Sequence, residues 1–127
     1  TTVIKGIGID LIDNSRIQIL YEKYGQVFAK KILSETEMIE FNQSSSPASY
    51  LAKHFASKEA LSKALGTGLY RRGISPSKLT VDHDDAGKPF FVKNDGLLEV
   101  LKSISASSIF LSISDTNNYS TAMVLVE

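Results

Sequence analysis

The stretch KHFASKEALSKALGTG, residues 53–68, constrains the fold more than any other, because it reads as a helix without an ordinary solvent face. At about 100° per residue, Glu59 and Lys63 fall among Ala56, Ala60 and Ala64. Lys58 stands on the opposite flank with Leu51, Leu61 and Leu65. A helix that is apolar or small on most sides is covered on most sides, and alanines let another chain or a ligand come close. The helix is expected over about 47–66, with Pro47 in its first turn and Gly66 as its stop.

The rest of the chain supplies the cover. VIKGIGIDLI, from Val3, reads as a buried strand whose Gly6 and Gly8 mark close backbone approach or a bulge. Asp13, Asn14 and Ser15 compete to cap a short helix that carries Arg16, Ile17, Leu20 and Lys23 and ends at Gly25. Val27 to Leu33 adds a turn or two, and Ser34 with Glu37 forms a capping-box signature for the next helix. NQSSSP is a polar loop, too short for a domain linker, and residues 69–77 form another loop. KLTVDHD and KPFFV read as strands around a DAG turn, with Pro89 fit only for a first or edge position. A helix over 96–104 and a closing hairpin, SIFLSISD and YSTAMVLVE around Thr116-Asn117-Asn118, complete the chain. Helices early and strands late, beside one N-terminal strand, predict a single α+β domain over 1–127, an antiparallel sheet packed on the long helix.

Composition narrows the function classes. Fourteen basic and fourteen acidic residues cancel, so the chain lacks the global charge of a nucleic-acid binder. The absence of cysteine excludes disulfides and thiolate metal sites. No apolar run has membrane-spanning length, and Lys5 and Asp10 interrupt the apolar start, so neither a membrane segment nor a signal peptide is expected and the cytoplasm is the default.

Chemistry concentrates on Asp10, Glu59 and the nearby lysines. Glu59 and Lys63 alone amount to an i,i+4 surface pair worth a few tenths of a kcal/mol at about the usual scale. Asp10 ends an almost wholly apolar strand, where a carboxylate needs a partner, unless Asp10 or Asp13 serves as the next helix's cap. If Asp10 faces Glu59, the two carboxylates make an all-oxygen site suited to Mg²⁺, with phosphates and water completing the shell. Lys58 or Lys63 would then hold another phosphate oxygen, an arrangement suited to phosphoryl transfer. Two apposed carboxylates without metal should raise one pKa.

The segments GIGIDLIDNSRI, FASKEALSKALGTG and GKP (Gly87, Lys88, Pro89), followed by the SIS strand pair, resemble the motifs of holo-acyl-carrier-protein synthases, the small 4'-phosphopantetheinyl transferases, in order and spacing over essentially the whole chain. The resemblance implies that fold. It also implies transfer of the 4'-phosphopantetheine arm of coenzyme A to a serine of apo acyl carrier protein, with release of adenosine 3',5'-bisphosphate, in lipid biosynthesis. Asp10 and Glu59 are the implied Mg²⁺ ligands, catalytic together with Lys63. CoA would be bound by Lys58, Lys63, His54, Gly87, Lys88, Pro89 and Asp115. Arg16, extended by Lys23, would meet the carrier protein. A homotrimer with sites at subunit contacts is implied too. Metal-bound water is the first candidate for taking the serine proton and Glu59 the second.

Two positions depart from the pattern. Asp115 stands where relatives usually carry histidine, and aspartate repels phosphate; it also suits a turn start. His54 stands where arginine is common, so a fixed charge gives way to a group that titrates near 6.5 or is simply packed. If His54 touches phosphate, affinity should rise as pH falls toward about 6. His83 has little support as a zinc ligand. Asp115 and His54 motivate the alternative of a relative that binds the carrier or a nucleotide with weak or no transfer.

Overall fold

Two glycines decide how the sheet meets the long helix. The computed structural model describes residues 3–127; Thr1 and Thr2, the first two residues of the expected domain, lie outside the described residues. Strand β1 (Gly6–Asp13) lies against helix α4 (Pro47–Leu65) so closely that a Cβ on Gly8 would sit 1.9 Å from the Ala60 carbonyl oxygen. A Cβ on Gly6 would come equally near the Ala64 carbonyl, at 1.9 Å. Close approach is therefore the role of both glycines, with no side chain able to fit.

The chain runs on through α1 (Asn14–Tyr24), α2 (Gln26–Ile32) and α3 (Glu35–Phe41) before α4. A short 3-10 turn (Pro76–Lys78), β2 (Val81–His83) and β3 (Pro89–Phe91) follow, then α5 (Asp95–Ser103), β4 (Ile109–Asp115) and β5 (Tyr119–Val126). The antiparallel sheet has the order β1-β5-β4, with β2 and β3 a separate hairpin. This is the expected α+β arrangement of an antiparallel sheet on a long helix. The 3-10 turn takes the start of the expected KLTVDHD strand, and the first strand starts at Gly6 rather than Val3. Pro89 opens β3, the one place where a missing N–H is harmless.

Caps fix the helices. Among the three competitors at the start of α1, Asp13 wins: its Oδ1 accepts from the Ser15 amide at 2.9 Å and from Ser15 Oγ at 2.7 Å. Asn14 is instead buried, accepting from Ser120 Oγ at 2.8 Å and donating to the Thr116 carbonyl at 3.2 Å, which ties α1 to the β4–β5 turn. Ser34 and Glu37 form the full capping box of α3, and Gly66 ends α4 in the left-handed region at φ 75°.

Helix α4 is the shared wall of two apolar clusters. Ala56, Ala60, Leu61 and Leu65 pack with Val124, Val126, Leu97 and Leu101 on the sheet and α5 side. Leu51 and Ala52 pack with Ile17, Ile32 and Phe41 of the first three helices. Cover on both sides accounts for the missing solvent face. The far face of the sheet stays bare, with Ile7, Ile9, Leu11, Phe110 and Met123 all exposed.

Candidate active site

Asp10, at the outer edge of β1, is near enough to Glu59 of α4 for its charge to raise the Glu59 pKa. With Asp13 engaged as the cap, Asp10 is left on the strand face that carries Gly6 and Gly8 toward α4. The Asn14 amide bonds to the Asn118 carbonyl, and with the register Ile12↔Ser120 and Asp10↔Ala122 this turns the even residues' backbone bonds to β5. The Ile9 carbonyl therefore faces the open edge, and Lys63 Nζ donates to it at 2.9 Å and to Asp10 Oδ1 at 3.2 Å. Burial raises the Glu59 pKa, the charge of Asp10 raises it further, and Lys63 opposes both. One carboxylate of an apposed pair is thus raised, as the sequence predicts. The donor set is two carboxylate groups with a lysine beside them, and no third His, Cys, Asp or Glu joins a cluster among the described residues. Hard oxygen donors so few in number fit Mg²⁺, which keeps several positions for water and phosphate.

A cleft of ≈ 380 Å³ lies at the opposite edge of the sheet, beside β4. Gly87, Pro89, His54 and Asp115 line it, so four residues expected to bind CoA share one cavity. Lys53, Glu40, Tyr50 and His83 line it as well and were not expected there. The Gly87 wall is a tight turn: Asp84 Oδ1 accepts from the Ala86 and Lys88 amides at 2.9 Å each, and Gly87 takes φ 85°. At the β4–β5 turn Thr116 Oγ1, not Asp115, accepts from the Asn118 and Tyr119 amides at 3.2 and 3.1 Å. The Asp115 carboxylate is left facing Lys53, Oδ2 to Nζ 3.9 Å.

Residues 6–124 match the model of the 4'-phosphopantetheinyl transferase superfamily. The chain belongs to that family. It is 45% identical to the holo-[acyl-carrier-protein] synthase of Nitrosospira multiformis, over 98% of this chain and 99% of that protein. The crystal structure of the Neisseria meningitidis holo-[acyl-carrier-protein] synthase superposes with a TM-score of 0.92 at 42% identity, covering 98% of this chain and 99% of the other. A Bacillus anthracis holo-(acyl-carrier-protein) synthase in complex with CoA (3',5'-ADP) has a TM-score of 0.80 at 32% identity, covering 99% and 98%. The chain is therefore an enzyme of the holo-[acyl-carrier-protein] synthase group.

Lys58, an expected CoA ligand, is corrected by its surroundings, and His54 is constrained by its own. Lys58 is fully buried: its Nζ donates to the Glu37 carboxylate, to the Ile32 carbonyl at 2.7 Å and to the Pro76 carbonyl at 2.9 Å. Three acceptors use up the ammonium's three donors, leaving none for a phosphate. Burial lowers its pKa and Glu37 counters. His54 is 4% exposed, stacked on Tyr50 with ring centroids 3.9 Å apart. Its Nδ1 lies 2.8 Å from the Tyr50 carbonyl, which only accepts, so the proton sits on Nδ1. Its Nε2 has no hydrogen-bond partner among the described residues and lies 3.7 Å from Glu37 Oε2. Burial lowers its pKa and Glu37 pulls the other way. The ring lines the cleft as a packed group whose burial disfavours the charge that a phosphate would call for.

Arg16 and Lys23 lie seven positions apart on α1 and so share a face. Between them Ile19 is 62% exposed, and Lys23 Nζ sits 5.2 Å from the centre of the Tyr24 ring. No helix among the described residues is long and apolar enough to cross a membrane.

Proposed function

We propose that the enzyme moves the 4'-phosphopantetheine arm of coenzyme A onto a serine of apo acyl carrier protein, releasing adenosine 3',5'-bisphosphate, as a cytoplasmic step of lipid biosynthesis. The observation that carries this reading is the meeting of Asp10, Glu59 and Lys63 at the edge of β1. The CoA complex of the Bacillus anthracis synthase supports it.

Asp10 and Glu59 would hold Mg²⁺. The ion would supply charge neutralisation of the diphosphate and polarisation of its phosphorus. The carrier serine gives its proton to water at the carboxylate edge, its oxygen bonds to the β-phosphorus, which carries the pantetheine, and the bond from that phosphorus to the oxygen of the 5'-phosphate breaks. Lys63, anchored by the Ile9 carbonyl, holds its ammonium where charge grows on the departing 5'-phosphate. On α1, Arg16 and Lys23 flank apolar Ile19 and Leu20, a pattern suited to an acidic amphipathic helix of the carrier.

The two halves of the site lie on opposite edges of one sheet, two strand spacings or about 10 Å apart. Between them lies the bare apolar face of Ile7, Ile9, Leu11, Phe110 and Met123. Copies of the chain packed through this face, as a homotrimer, would cover it and bring the carboxylate edge of one protomer to the cleft of the next. Incubation with apo carrier protein, CoA and Mg²⁺, followed by intact mass measurement of the carrier, tests the function. A mass gain of one arm is expected. Binding of carrier or nucleotide without the gain overturns transfer in favour of a binding protein.

A further inference from the structure

The cleft beside β4 poses an electrostatic problem for an anionic ligand. Its lining holds two carboxylates, Glu40 and Asp115, against one fixed cation, Lys53. His54 does not redress the balance, because it is buried with its pKa lowered. Lys53 is itself occupied, but loosely. Its Nζ stands 3.9 Å from Asp115 Oδ2, beyond hydrogen-bond length, with the two side chains 35% and 40% exposed. An exposed pair of that geometry costs little to separate.

Coenzyme A carries a diphosphate and a 3'-phosphate, and the diphosphate belongs to the carboxylate edge under the proposed function, on which this inference rests. The group left over is the 3'-phosphate monoester, a stronger partner for an ammonium than a single carboxylate. We propose that Lys53 leaves Asp115 to bind the 3'-phosphate of CoA, and that the pair sets the preference of this enzyme for CoA over dephospho-CoA. Asp115 is the resident counterion: it holds Lys53 when the cleft is empty and repels the phosphate that displaces it. A ligand without the monoester leaves the pair intact and gains nothing from Lys53.

The test is calorimetric titration of the full-length protein with adenosine 3',5'-bisphosphate and with adenosine 5'-phosphate, which needs no turnover. Lys53→Gln should weaken the bisphosphate by roughly tenfold and leave the monophosphate within about twofold. Lys53→Arg should keep most of the affinity. Asp115→Asn should tighten the bisphosphate by about threefold. In the transfer assay the Lys53→Gln KM should rise for CoA and stay unchanged for dephospho-CoA, with kcat nearly constant. Equal losses for both nucleotides, no loss for either, or weaker bisphosphate binding in Asp115→Asn would overturn the inference. Intact transfer with a bisphosphate affinity indifferent to Lys53 sinks the inference and leaves the function standing. The expected Lys53 dependence without any transfer by the unmodified enzyme does the reverse.

Discussion

Lys58 and Lys63 lie five residues apart on one helix and within one motif, yet their surroundings give them opposite work. Lys58 is sealed against α2, α3 and the 3-10 turn, and its ammonium joins Glu37 to two backbone carbonyls. Lys63 stands half exposed at the sheet edge, with contacts to Ile9 and Asp10 that an arriving phosphate can share. Under the proposed function, residue type and motif spacing nominate two lysines for phosphate, and the helix face leaves only Lys63 free to serve. Lys58 shares its flank with Leu51, Leu61 and Leu65 and goes into the core. Lys63 shares the alanine flank, where the glycines of β1 bring Asp10 within reach.

Breaking the buried lysine gives the largest expected effect. Lys58→Met strands the Glu37 carboxylate and two carbonyls, and should cost about 3–5 kcal/mol, the usual penalty for removing one partner of a buried pair. A urea melt followed by far-UV circular dichroism reads it. Adding Glu37→Gln should recover part of the loss, because the stranded charge is then gone. Stability unchanged in Lys58→Met would mean that the network does not hold the fold, and Lys58 would return as a phosphate ligand.

Lys63→Met should do the opposite. Its surface contacts contribute within about 0.5 kcal/mol, so the melt should barely move. Loss of the ammonium beside the departing phosphate should cut kcat by about 10²–10³. Single-turnover transfer of the arm, read by carrier mass, measures it. A kcat loss matched by an equal loss of stability would collapse the contrast between the two lysines.

Much of this was legible beforehand, for physical reasons that differ by region. Gly6 and Gly8 within an apolar strand announced close approach or a bulge, and the contact with α4 decides for close approach. The Ser34 and Glu37 spacing announced a cap through local hydrogen bonds. What the sequence hid was the second use of a residue. Glu37 caps α3 with one oxygen and also receives Lys58, while its other oxygen accepts from the Val81 amide at 2.8 Å, a partner 44 positions away. Local spacing carries no trace of that. At about 100° per residue Lys58 does stand among leucines, which is a sign of burial. The sequence does not mark Lys53, because its worth depends on Asp115, brought near only by the order of the strands.

The smallest expected effect lies with Glu59 and carries the contrast into the pH dependence. Its pKa is raised in the folded chain by burial and by Asp10, above the ordinary glutamate value of 4.5. A carboxylate raised on folding opposes the fold once it is ionised, so the cost is present at neutral pH without metal. It fades as pH falls through the folded pKa and vanishes below the unfolded value, where both states are protonated. Glu59→Gln should therefore raise the melting temperature of the metal-free protein slightly at pH 7, with the gain shrinking toward pH 4 (roughly the unfolded carboxylate range). Added Mg²⁺ reverses the sign, since ion binding stabilises the unmodified protein more than the variant. Thermal melts of both proteins at several pH values, with and without Mg²⁺, check this. A Glu59→Gln protein less stable than its parent in chelator at pH 7 would show that the ionised carboxylate is already satisfied within the chain, and the case for an ion between Asp10 and Glu59 would lose its electrostatic basis.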